Sequence, residues 1–378
     1  MKAVTYQGIK NVEVKEVEDP KIQKPDDMII KVTSTAICGS DLHLIHGMIP
    51  NLQENYVIGH EPMGIVEEVG PEVTKLKKGD RVIIPFNIAC GECFYCQNHL
   101  ESQCDNSNEN GDMGGYFGYA GITGGHPGGQ AEYLRVPFAN FTHFKIPESV
   151  EEPDEKLSVI ADAMTTAFWT VDNAGVKNGD TVIILGCGPV GLFAQKFCWL
   201  KGAKRVIAVD YVEYRLQHAK RTNKVETVNF EKYENTGMHL KEMTKGGADV
   251  VIDAVGMDGK MTDMEFLASG LKLHAGAFGA FIIASQAVRK GGTIQVTGVY
   301  GGKYNGFPMG DIMNRNVTIK TGQAPVIHYM PYMFELVQTG KIDPGDVVTH
   351  VLPLSEAKRG YEMFDTRTDN CIKVVLKP

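Results

Sequence analysis

The chain has 378 residues, of which 43% are hydrophobic and 22% are charged, and it carries a formal net charge of −8 at pH 7. The composition is that of an ordinary globular protein, and the length predicts about two domains with ample core. The acidic balance gives no electrostatic footprint for nucleic acid or for an anionic membrane, so we expect neither as a partner.

The sequence has no pattern typical of a secretory leader or a membrane span. The opening segment, MKAVTYQGIKNVEVKEVEDP, lacks an apolar signal core. The longest nearly apolar run, AGAFGAFIIASQAV at 275–288, is too short to cross a bilayer. We therefore expect a soluble protein of a reducing compartment, the cytoplasm.

The first third of the chain has the pattern of a β-rich domain. Short β-branched runs at 28–41, 63–70 and 80–86 are separated by Gly, Pro and Asp. The stretch GGYFGYAGITGGHPGGQ at 114–130 has eight glycines in seventeen residues and lacks the ending of a phosphate loop. We interpret it as a mobile surface loop near a site, with a flexible connector as the alternative.

Four of the eight cysteines lie close together in CGECFYCQNHLESQC. Cys90, Cys93, Cys96 and Cys104 have the spacing C-x2-C-x2-C-x7-C. Four thiolates make a closed tetrahedral Zn²⁺ site with no position left for substrate, so we predict a structural zinc lobe at 87–106. The alternatives are two disulfides, which need an oxidising compartment, or an iron–sulfur cluster, although the usual Cys-Pro ending is missing.

From about residue 160 the pattern changes to alternating helices and strands. DAMTTAFWTVDNAG is predicted to be helical, with Asp162 as a candidate N-cap. The segment TVIILGCGPVGLFAQKFCWLKGAKRVIAVD then alternates strand, glycine turn, helix and strand, and further β segments lie at 248–256 and 292–300. Units of this length predict an α/β fold with a parallel, doubly wound sheet.

A G-x-G-x-x-G turn follows the strand-like run TVIIL, and its residues are Gly186, Gly188, Pro189, Val190 and Gly191. Such glycines let a pyrophosphate approach the backbone at a helix N-terminus. Asp210 ends the next strand, where its carboxylate would accept hydrogen bonds from ribose hydroxyls and repel a 2′-phosphate. The pattern favours NAD over NADP. Arg215, five residues after Asp210, weakens this preference but does not overturn it. The alternatives are a tight turn without ligand and an ordinary strand-end cap.

Two further segments carry side chains that can bind a metal: AICGSDLHLIHG contains Cys38, Ser40, Asp41 and His43, and VIGHEPMGIVEEVG contains His60 and Glu61. An open catalytic zinc takes three protein ligands and leaves the fourth position for substrate. Cys38 and His60 are natural candidates because both end β-type segments and can converge across a sheet. From the residues alone, an inert core cysteine and histidine remain the alternative.

These segments together resemble the zinc-dependent medium-chain alcohol dehydrogenases. CGSDLH, GHE, the cysteine lobe and GCGPVG occur in the order seen in that family, and VVTHVLPLSEAKRGYEMF resembles its return segment. The match covers essentially the whole chain. Within the family, VIIPFNIACGEC, GGQAEYLRVPFANF, TGQAPVIHYMP and RGYEMFD look most like the glutathione-independent formaldehyde dehydrogenase branch.

The resemblance implies a GroES-like β-rich catalytic domain and a Rossmann NAD-binding domain. The catalytic domain would comprise residues 1–160 and 325–378, and the Rossmann domain residues 161–324, with substrate in the cleft between them. A homotetramer or homodimer is expected by analogy with the family. The segment between Gly256 and Gly291 looks shorter than in the formaldehyde branch, so tight cofactor retention and dismutation are not carried over.

The resemblance also implies the ligands of a catalytic zinc. Cys38 and His60 would be joined by Asp162, at a position where many members carry a cysteine and the formaldehyde dehydrogenase-like branch carries an aspartate. Glu61 corresponds to a carboxylate that can approach the metal, and Asp41 would orient His60. A helix N-cap is the alternative role for Asp162.

The implied reaction is oxidation of an alcohol, or of an aldehyde hydrate such as that of formaldehyde, with hydride transfer to NAD. Zinc would acidify the substrate hydroxyl, and Ser40 would pass its proton through the cofactor ribose to His43 and solvent. Lys373 is similar to a basic residue near the cofactor phosphates. The main rival is a polyol or L-threonine dehydrogenase of the same family. Outside it, the rivals are a zinc-ribbon nucleic-acid binder and a non-catalytic NAD-binding protein.

Overall fold

The computed structural model of the protein describes residues 1–49, 52–109, 111, 113–259, 277–304 and 306–378. The chain divides into two compact units. The first comprises Met1–Thr166 and Ala324–Pro378, and the second comprises Ala167–Gln323. The first unit is therefore built from both ends of the chain.

Strands are the most numerous regular elements in the first 166 residues. These strands are β1 (Lys2–Tyr6), β2 (Val12–Glu16), β3 (Met28–Ala36), β4 (Glu61–Val69), β5 (Arg81–Ile83), β6 (Asn87–Ile88), β7 (Gly115–Tyr116), β8 (Tyr133–Val136) and β9 (Phe144–Lys145). The helices are α1 (Gly39–Ile45), α2 (Phe94–Gln97), α3 (Asp154–Leu157) and α4 (Ala163–Ala174), the last of which continues into the second unit.

The second unit alternates strands and helices. Its strands are β10 (Thr181–Leu185), β11 (Arg205–Asp210), β12 (Glu226–Asn229), β13 (Ala248–Asp253), β14 (Val288–Val296) and β15 (Thr318–Thr321). Its helices are α5 (Pro189–Leu200), α6 (Glu213–His218), α7 (Thr236–Met243), α8 (Gly279–Ala287) and α9 (Met309–Asn314). The end of the chain returns to the first unit through α10 (Val326–Gln338), β16 (His350–Pro353), α11 (Ala357–Thr366) and β17 (Val374–Lys377).

The main sheet of the first unit is built around β3. Among the described residues its strands run in the order β16-β17-β3-β4-β5-β9, and β8 also pairs with β3. Strands β3 and β4 are antiparallel along nearly their whole length, from Met28 opposite Val69 to Ala36 opposite Glu61. Seven of the nine β3 residues are buried. The strand is therefore part of the hydrophobic core, and packing on both sides holds its two ends in place.

The second unit contains a parallel sheet. The order of the described strands is β12-β11-β10-β13-β14-β15, and every neighbouring pair is parallel. All five residues of β10 are buried, as expected for a strand covered by helices on both faces. This strand order, with β10 and β13 at the point where the chain reverses direction across the sheet, confirms the predicted Rossmann arrangement of the α/β fold.

The sequence suggested that the glycine-rich stretch at 114–130 is a mobile surface loop near a site. The structure buries both of its ends, while residues 121, 122, 125 and 127 in its middle are exposed. A Cβ on Gly128 would lie 2.2 Å from the carbonyl oxygen of Ile58, and one on Gly118 would lie 2.4 Å from that of Gly59. The glycines therefore allow two backbone segments to touch, and the stretch packs against the chain that leads into β4.

The short segment between Gly256 and Gly291 includes residues 260–276, which lie outside the described residues. Within the described ranges, no helix has both the length and the apolar character that crossing a membrane requires.

We expect Gly128→Ala to destabilise the first unit because the added methyl would lie within 2.2 Å of a neighbouring carbonyl oxygen. Overpacking of this kind typically costs about 1–3 kcal/mol of the free energy of unfolding. The matched control is Gly121→Ala, where a Cβ meets no atom within 4 Å. Urea unfolding of both variants measures the difference, and equal stabilities would contradict the tight packing described here.

Candidate metal and dinucleotide sites

The ends of β3 and β4 bring Cys38 and His60 together. In the antiparallel register Ala36 faces Glu61, so Cys38 follows one strand at the same edge where His60 precedes the other. Cys38 is also the N-cap residue of α1, and its backbone N–H donates to Asp41 Oδ2 at 3.0 Å. The predicted convergence across a sheet is therefore present in the fold.

Asp162 lies beside these two residues. Its Oδ2 is 3.4 Å from Cys38 Sγ and 3.3 Å from His60 Nε2, while its Oδ1 accepts a hydrogen bond from the Thr166 hydroxyl. Ligand atoms around a tetrahedral zinc, with bonds of about 2.0–2.3 Å, are about 3.3–3.8 Å apart. The spacing of this sulfur, nitrogen and oxygen therefore fits one zinc ion. Asp162 immediately precedes α4, so the chain at the head of that helix also holds the carboxylate.

Asp41 lies on the opposite side of the His60 ring. Its Oδ1 is 3.1 Å from His60 Nδ1, close enough for charge attraction although not aligned as a hydrogen bond. Behind it, Gln130 Nε2 donates to Asp41 Oδ2 at 3.2 Å, and Tyr361 Oη donates to Gln130 Oε1 at 2.8 Å. All four side chains are buried. This chain of polar contacts fixes the ring so that Nε2 points at Asp162 and Cys38.

The electrostatics of the cluster favour a cation. Burial opposes ionisation of Asp162, yet a hydrogen bond from His60 lowers the pKa of Asp162 to about 2. Burial opposes protonation of His60, but Asp41 and Cys38 raise the pKa of this imidazole well above its usual value. Burial raises the pKa of the Cys38 thiol. A divalent cation would displace the protons from the imidazole and the thiol, as metal binding does in general.

Ser40 and His43, predicted to move a proton, have different surroundings. Ser40 Oγ lies 3.3 Å from His60 Nε2, the nitrogen that faces the other candidate ligands. His43 is only 4% exposed, and its Nδ1 lies 3.4 Å from the hydroxyl of Tyr119. Ser40 is thus at the cluster, whereas His43 is a buried histidine in contact with a tyrosine of the glycine-rich stretch.

Glu61 is paired with Lys373 inside the first unit. The lysine Nζ is 2.7 Å from Oε1 and 2.6 Å from Oε2, and both side chains are fully buried. Burial opposes the charged lysine, but Glu61 raises the pKa of Lys373 above its ordinary value. The prediction of Lys373 beside cofactor phosphates therefore gives way to a different role, since its ammonium group is occupied by Glu61.

The four cysteines of the lobe also converge. The Sγ–Sγ distances are 3.5 Å between Cys93 and Cys96, 3.9 Å between Cys90 and Cys96, and 3.9 Å between Cys93 and Cys104. Thiolates around a tetrahedral zinc, with bonds of about 2.3 Å, lie about 3.8 Å apart, whereas a disulfide joins sulfurs at about 2.0 Å. The arrangement fits a closed four-thiolate metal site and not two disulfides.

Donors around the lobe stabilise negative sulfur. The backbone N–H groups of Glu92 and Cys93 and the side-chain amide of Asn106 donate to Cys90 Sγ, and the backbone N–H of Cys90 donates to Cys104 Sγ. Hydrogen bonding from Cys96, with help from backbone N–H groups, lowers the pKa of Cys104 to about 5. Such donors offset the excess negative charge of four thiolates around one divalent ion.

The glycine turn of the second unit has the geometry of an anion cradle. Gly186 follows β10 with φ +95°, and a Cβ on Gly191 would lie 2.0 Å from the Gly186 carbonyl oxygen, so the turn is tight. Gly188 is the N-cap of α5 and Pro189 is its first residue. A Cβ on Gly188 would meet no atom within 4 Å. The helix N-terminus is therefore open at the position where a pyrophosphate would lie.

Asp210 ends β11 beside this turn. Its Oδ2 accepts a hydrogen bond from the backbone N–H of Cys187 at 2.7 Å, and its Oδ1 accepts from Tyr211 and Val212. Oδ2 can therefore accept one more donor. The guanidinium carbon of Arg215, in α6, lies 5.9 Å from the centre of the Tyr214 ring, and the buried Nε of Arg215 has no hydrogen-bond partner within the described structure. The structure thus brings Asp210 to the glycine turn.

Sequence reasoning missed Gln130, Tyr361 and Tyr119 and misjudged Lys373. A lysine inside the apolar run CIKVVL was a signal for a buried ion pair, because an unpaired charge is rarely buried. The two tyrosines and the glutamine carried no comparable signal, since their contacts join segments more than 70 residues apart.

Known proteins are similar to this chain along its length. The family described as an alcohol dehydrogenase GroES-like domain matches residues 24–148, and that described as a zinc-binding dehydrogenase matches residues 189–278. An uncharacterized zinc-type alcohol dehydrogenase-like protein of Bacillus subtilis (strain 168) is 85% identical over 378 residues, 100% of both chains. A glutathione-independent formaldehyde dehydrogenase of the same organism is 33% identical, with 96% of this chain and 94% of the relative covered.

Solved structures agree with this assignment. The alcohol dehydrogenase TADH from Thermus sp. ATN1 has a TM-score of 0.83 and 35% identity, covering 100% of this chain and 99% of its own. Similar solved proteins include both an NAD-dependent and an NADP-bound dehydrogenase. The predicted family and its cofactors, zinc and a nicotinamide dinucleotide, are confirmed, while the named formaldehyde dehydrogenase is a distant relative.

We expect Lys373→Met to lower the free energy of unfolding by about 3–5 kcal/mol, because it leaves the buried Glu61 carboxylate without its counter-charge. The double variant Glu61→Gln/Lys373→Met should recover part of this loss. The matched control is Lys377→Met on the same strand, whose partner Glu155 is partly exposed; it should cost about 1 kcal/mol or less. Equal losses at Lys373 and Lys377 would argue against a structural ion pair.

Proposed function

Because the chain belongs to the zinc-binding alcohol dehydrogenase family of oxidoreductases, we propose that it oxidises an alcohol, or the hydrate of an aldehyde such as formaldehyde, with NAD as the hydride acceptor. One observation carries the proposal. Cys38, His60 and Asp162 present three ligand atoms at the spacing of tetrahedral zinc ligands, and three protein ligands leave a fourth position for substrate.

The proposed ligands form a set suited to zinc. Cys38, His60 and Asp162 would hold the ion through sulfur, nitrogen and oxygen, and Asp41 would keep the His60 ring in place. When bound, zinc supplies a Lewis acid that lowers the pKa of a hydroxyl group next to it. Glu61 is a further carboxylate at the cluster, since its ligand atom lies within 4.8 Å of the other three. In the described structure Lys373 holds it by an ion pair.

In this proposal Ser40 accepts the proton of the substrate hydroxyl. Its Oγ lies 3.3 Å from the ligand-facing nitrogen of His60 and can therefore reach a hydroxyl bound at the same point. His43 is the proposed final acceptor, because an imidazole can take up a proton near neutral pH. The contact between His43 Nδ1 and the Tyr119 hydroxyl holds the ring in one orientation.

We propose that the glycine turn of the second unit holds the dinucleotide. The start of α5 favours an anion, and the backbone N–H groups there belong to Gly188, Val190 and Gly191. Pro189 has no backbone N–H to offer. Asp210 would accept a hydrogen bond from an adenosine ribose hydroxyl and repel a 2′-phosphate, which supports NAD over NADP. Arg215, close in sequence, keeps NADP as a weaker alternative.

The first unit is then the catalytic domain and the second is the NAD-binding domain. The proposed boundaries, 1–160 with 325–378 and 161–324, lie within six residues of the bounds of the two compact units, and the unit that contains Cys38 and His60 also includes Asp162. The carboxyl ends of the strands in a parallel sheet are where ligands bind, which agrees with the position of the glycine turn after β10 and of Asp210 at the end of β11.

The proposal is tested by measuring NADH formation with formaldehyde, primary alcohols, sorbitol and L-threonine, with zinc counted on the same sample. We expect turnover of formaldehyde or a short primary alcohol. Turnover confined to sorbitol or threonine would assign the chain to the polyol or threonine dehydrogenases, and absence of turnover with zinc bound would reject the proposed reaction.

The role of Asp162 is tested with Asp162→Asn. Because the ligand set loses a carboxylate, we expect one zinc fewer per chain and kcat lower by at least roughly 10³-fold, with NADH binding unchanged. Asp172→Asn is the matched control, since Asp172 lies on the same helix and pairs with Lys201. A variant with wild-type zinc and near-normal kcat would show that Asp162 serves only as the head of the helix.

Cofactor choice is tested with Asp210→Ser. Loss of the carboxylate removes both the ribose contact and the repulsion of a 2′-phosphate. We therefore expect kcat/KM for NAD to fall, and the ratio of kcat/KM for NAD to kcat/KM for NADP to fall by about tenfold or more. Asp180→Ser, at the start of the neighbouring strand, is the control. An unchanged ratio would remove Asp210 from cofactor selection.

A further inference from the structure

A third group of metal-binding side chains lies in the first unit, apart from the two sites above. It consists of His99, Glu101 and His328. His99 follows α2 with a left-handed backbone (φ +58°), Glu101 begins a 3₁₀ turn inside the cysteine lobe, and His328 lies in the first turn of α10. His99 and His328, 229 positions apart in the chain, therefore meet at one point of the surface.

The three side chains face one another. One ligand atom from each lies within 4.8 Å of the others, and the ring centroids of His99 and His328 are 4.1 Å apart. His99 Nδ1 is 3.8 Å from Glu101 Oε1. Ligands of a tetrahedral zinc are about 3.4 Å apart, so the two imidazoles would need to close in by no more than roughly 1.5 Å. Both histidines are exposed and can make that movement.

One carboxylate oxygen of Glu101 is buried without a hydrogen-bond partner in the described structure. The residue is only 2% exposed, and the oxygen is its Oε2. A buried carboxylate oxygen without a donor costs free energy, and a cation at the surface mouth of the group would remove that cost.

The donor set selects the kind of cation. Two imidazole nitrogens and one carboxylate oxygen suit Zn²⁺ and similar transition metals, whereas Ca²⁺ and Mg²⁺ need an all-oxygen shell. Three protein ligands leave the remaining position to water. The neighbouring Ile327 packs against the cluster that contains Cys96 and Cys104, so α10 already touches the lobe at this point.

We propose that His99, Glu101 and His328 bind a further Zn²⁺ that joins the cysteine lobe to α10. The ion would link a lobe held by local cysteine spacing to a helix from the far end of the chain. This inference does not depend on the proposed reaction, because none of the three residues belongs to the candidate catalytic or dinucleotide site.

The test is a zinc count on the purified holoprotein after dialysis against a series of buffered free Zn²⁺ concentrations. Wild type should bind one zinc per chain more than His99→Gln or His328→Gln. The affinity for that zinc should fall more than about 100-fold in the variants, since loss of an outer-shell partner alone costs 10–100-fold. His350→Gln, a histidine elsewhere in the same unit, is the control and should bind zinc as wild type does.

Thermal unfolding gives a second readout. Added Zn²⁺ should raise the unfolding temperature of wild type and of His350→Gln, and should leave that of His99→Gln and His328→Gln unchanged. Because both substituted histidines are exposed, the variants should fold. Equal zinc content in wild type and both variants at every free Zn²⁺ concentration of the series, or a zinc-induced rise of equal size in all four proteins, would overturn the proposal.

Discussion

The antiparallel register of β3 and β4 is the constraint on which the candidate catalytic site depends. With Ala36 opposite Glu61, Cys38 and His60 leave the two strands at one edge, within reach of a single ion. A shift of one residue would turn alternate side chains to the other face of the sheet. The backbone contacts of Gly118 and Gly128 with the segment before β4 hold this register from outside.

The same edge of the sheet concentrates negative charge in the interior. Asp41, Glu61 and Asp162 are buried beside the half-buried Cys38, and Lys373 and His60 supply the positive charge. Buried charges are tolerated only when paired or when they coordinate a metal. Lys373 compensates Glu61, and Asp41 and Asp162 flank the imidazole of His60. This leaves the Cys38 thiol and Oδ2 of Asp162, which faces that thiol, as the groups that gain most from a bound divalent cation.

The two candidate zinc sites differ in how the chain builds them. The cysteine lobe draws all four ligands from fifteen residues, at 90–104, and surrounds its sulfurs with local N–H donors. The candidate catalytic site draws its ligands from positions 38, 60 and 162, so it exists only after the sheet and the head of α4 have formed. Local closure suits a structural ion, while an open set of distant ligands leaves space for a substrate.

The sequence by itself determined the features that depend on local spacing. The four-cysteine lobe, the glycine turn with Asp210, and the alternation of strands and helices all follow from short-range pattern, because each is built by neighbouring residues. Resemblance to a family added Asp162, which its position alone would have assigned to a helix cap. Only the tertiary structure decided the rest: the pairing of Lys373 with Glu61, the contacts of Tyr361 and Gln130 behind His60, the burial of His43, and the packing of the two ends of the glycine-rich stretch. These features arise where segments far apart in the chain meet, and burial there changes which charges and hydrogen bonds a side chain can keep.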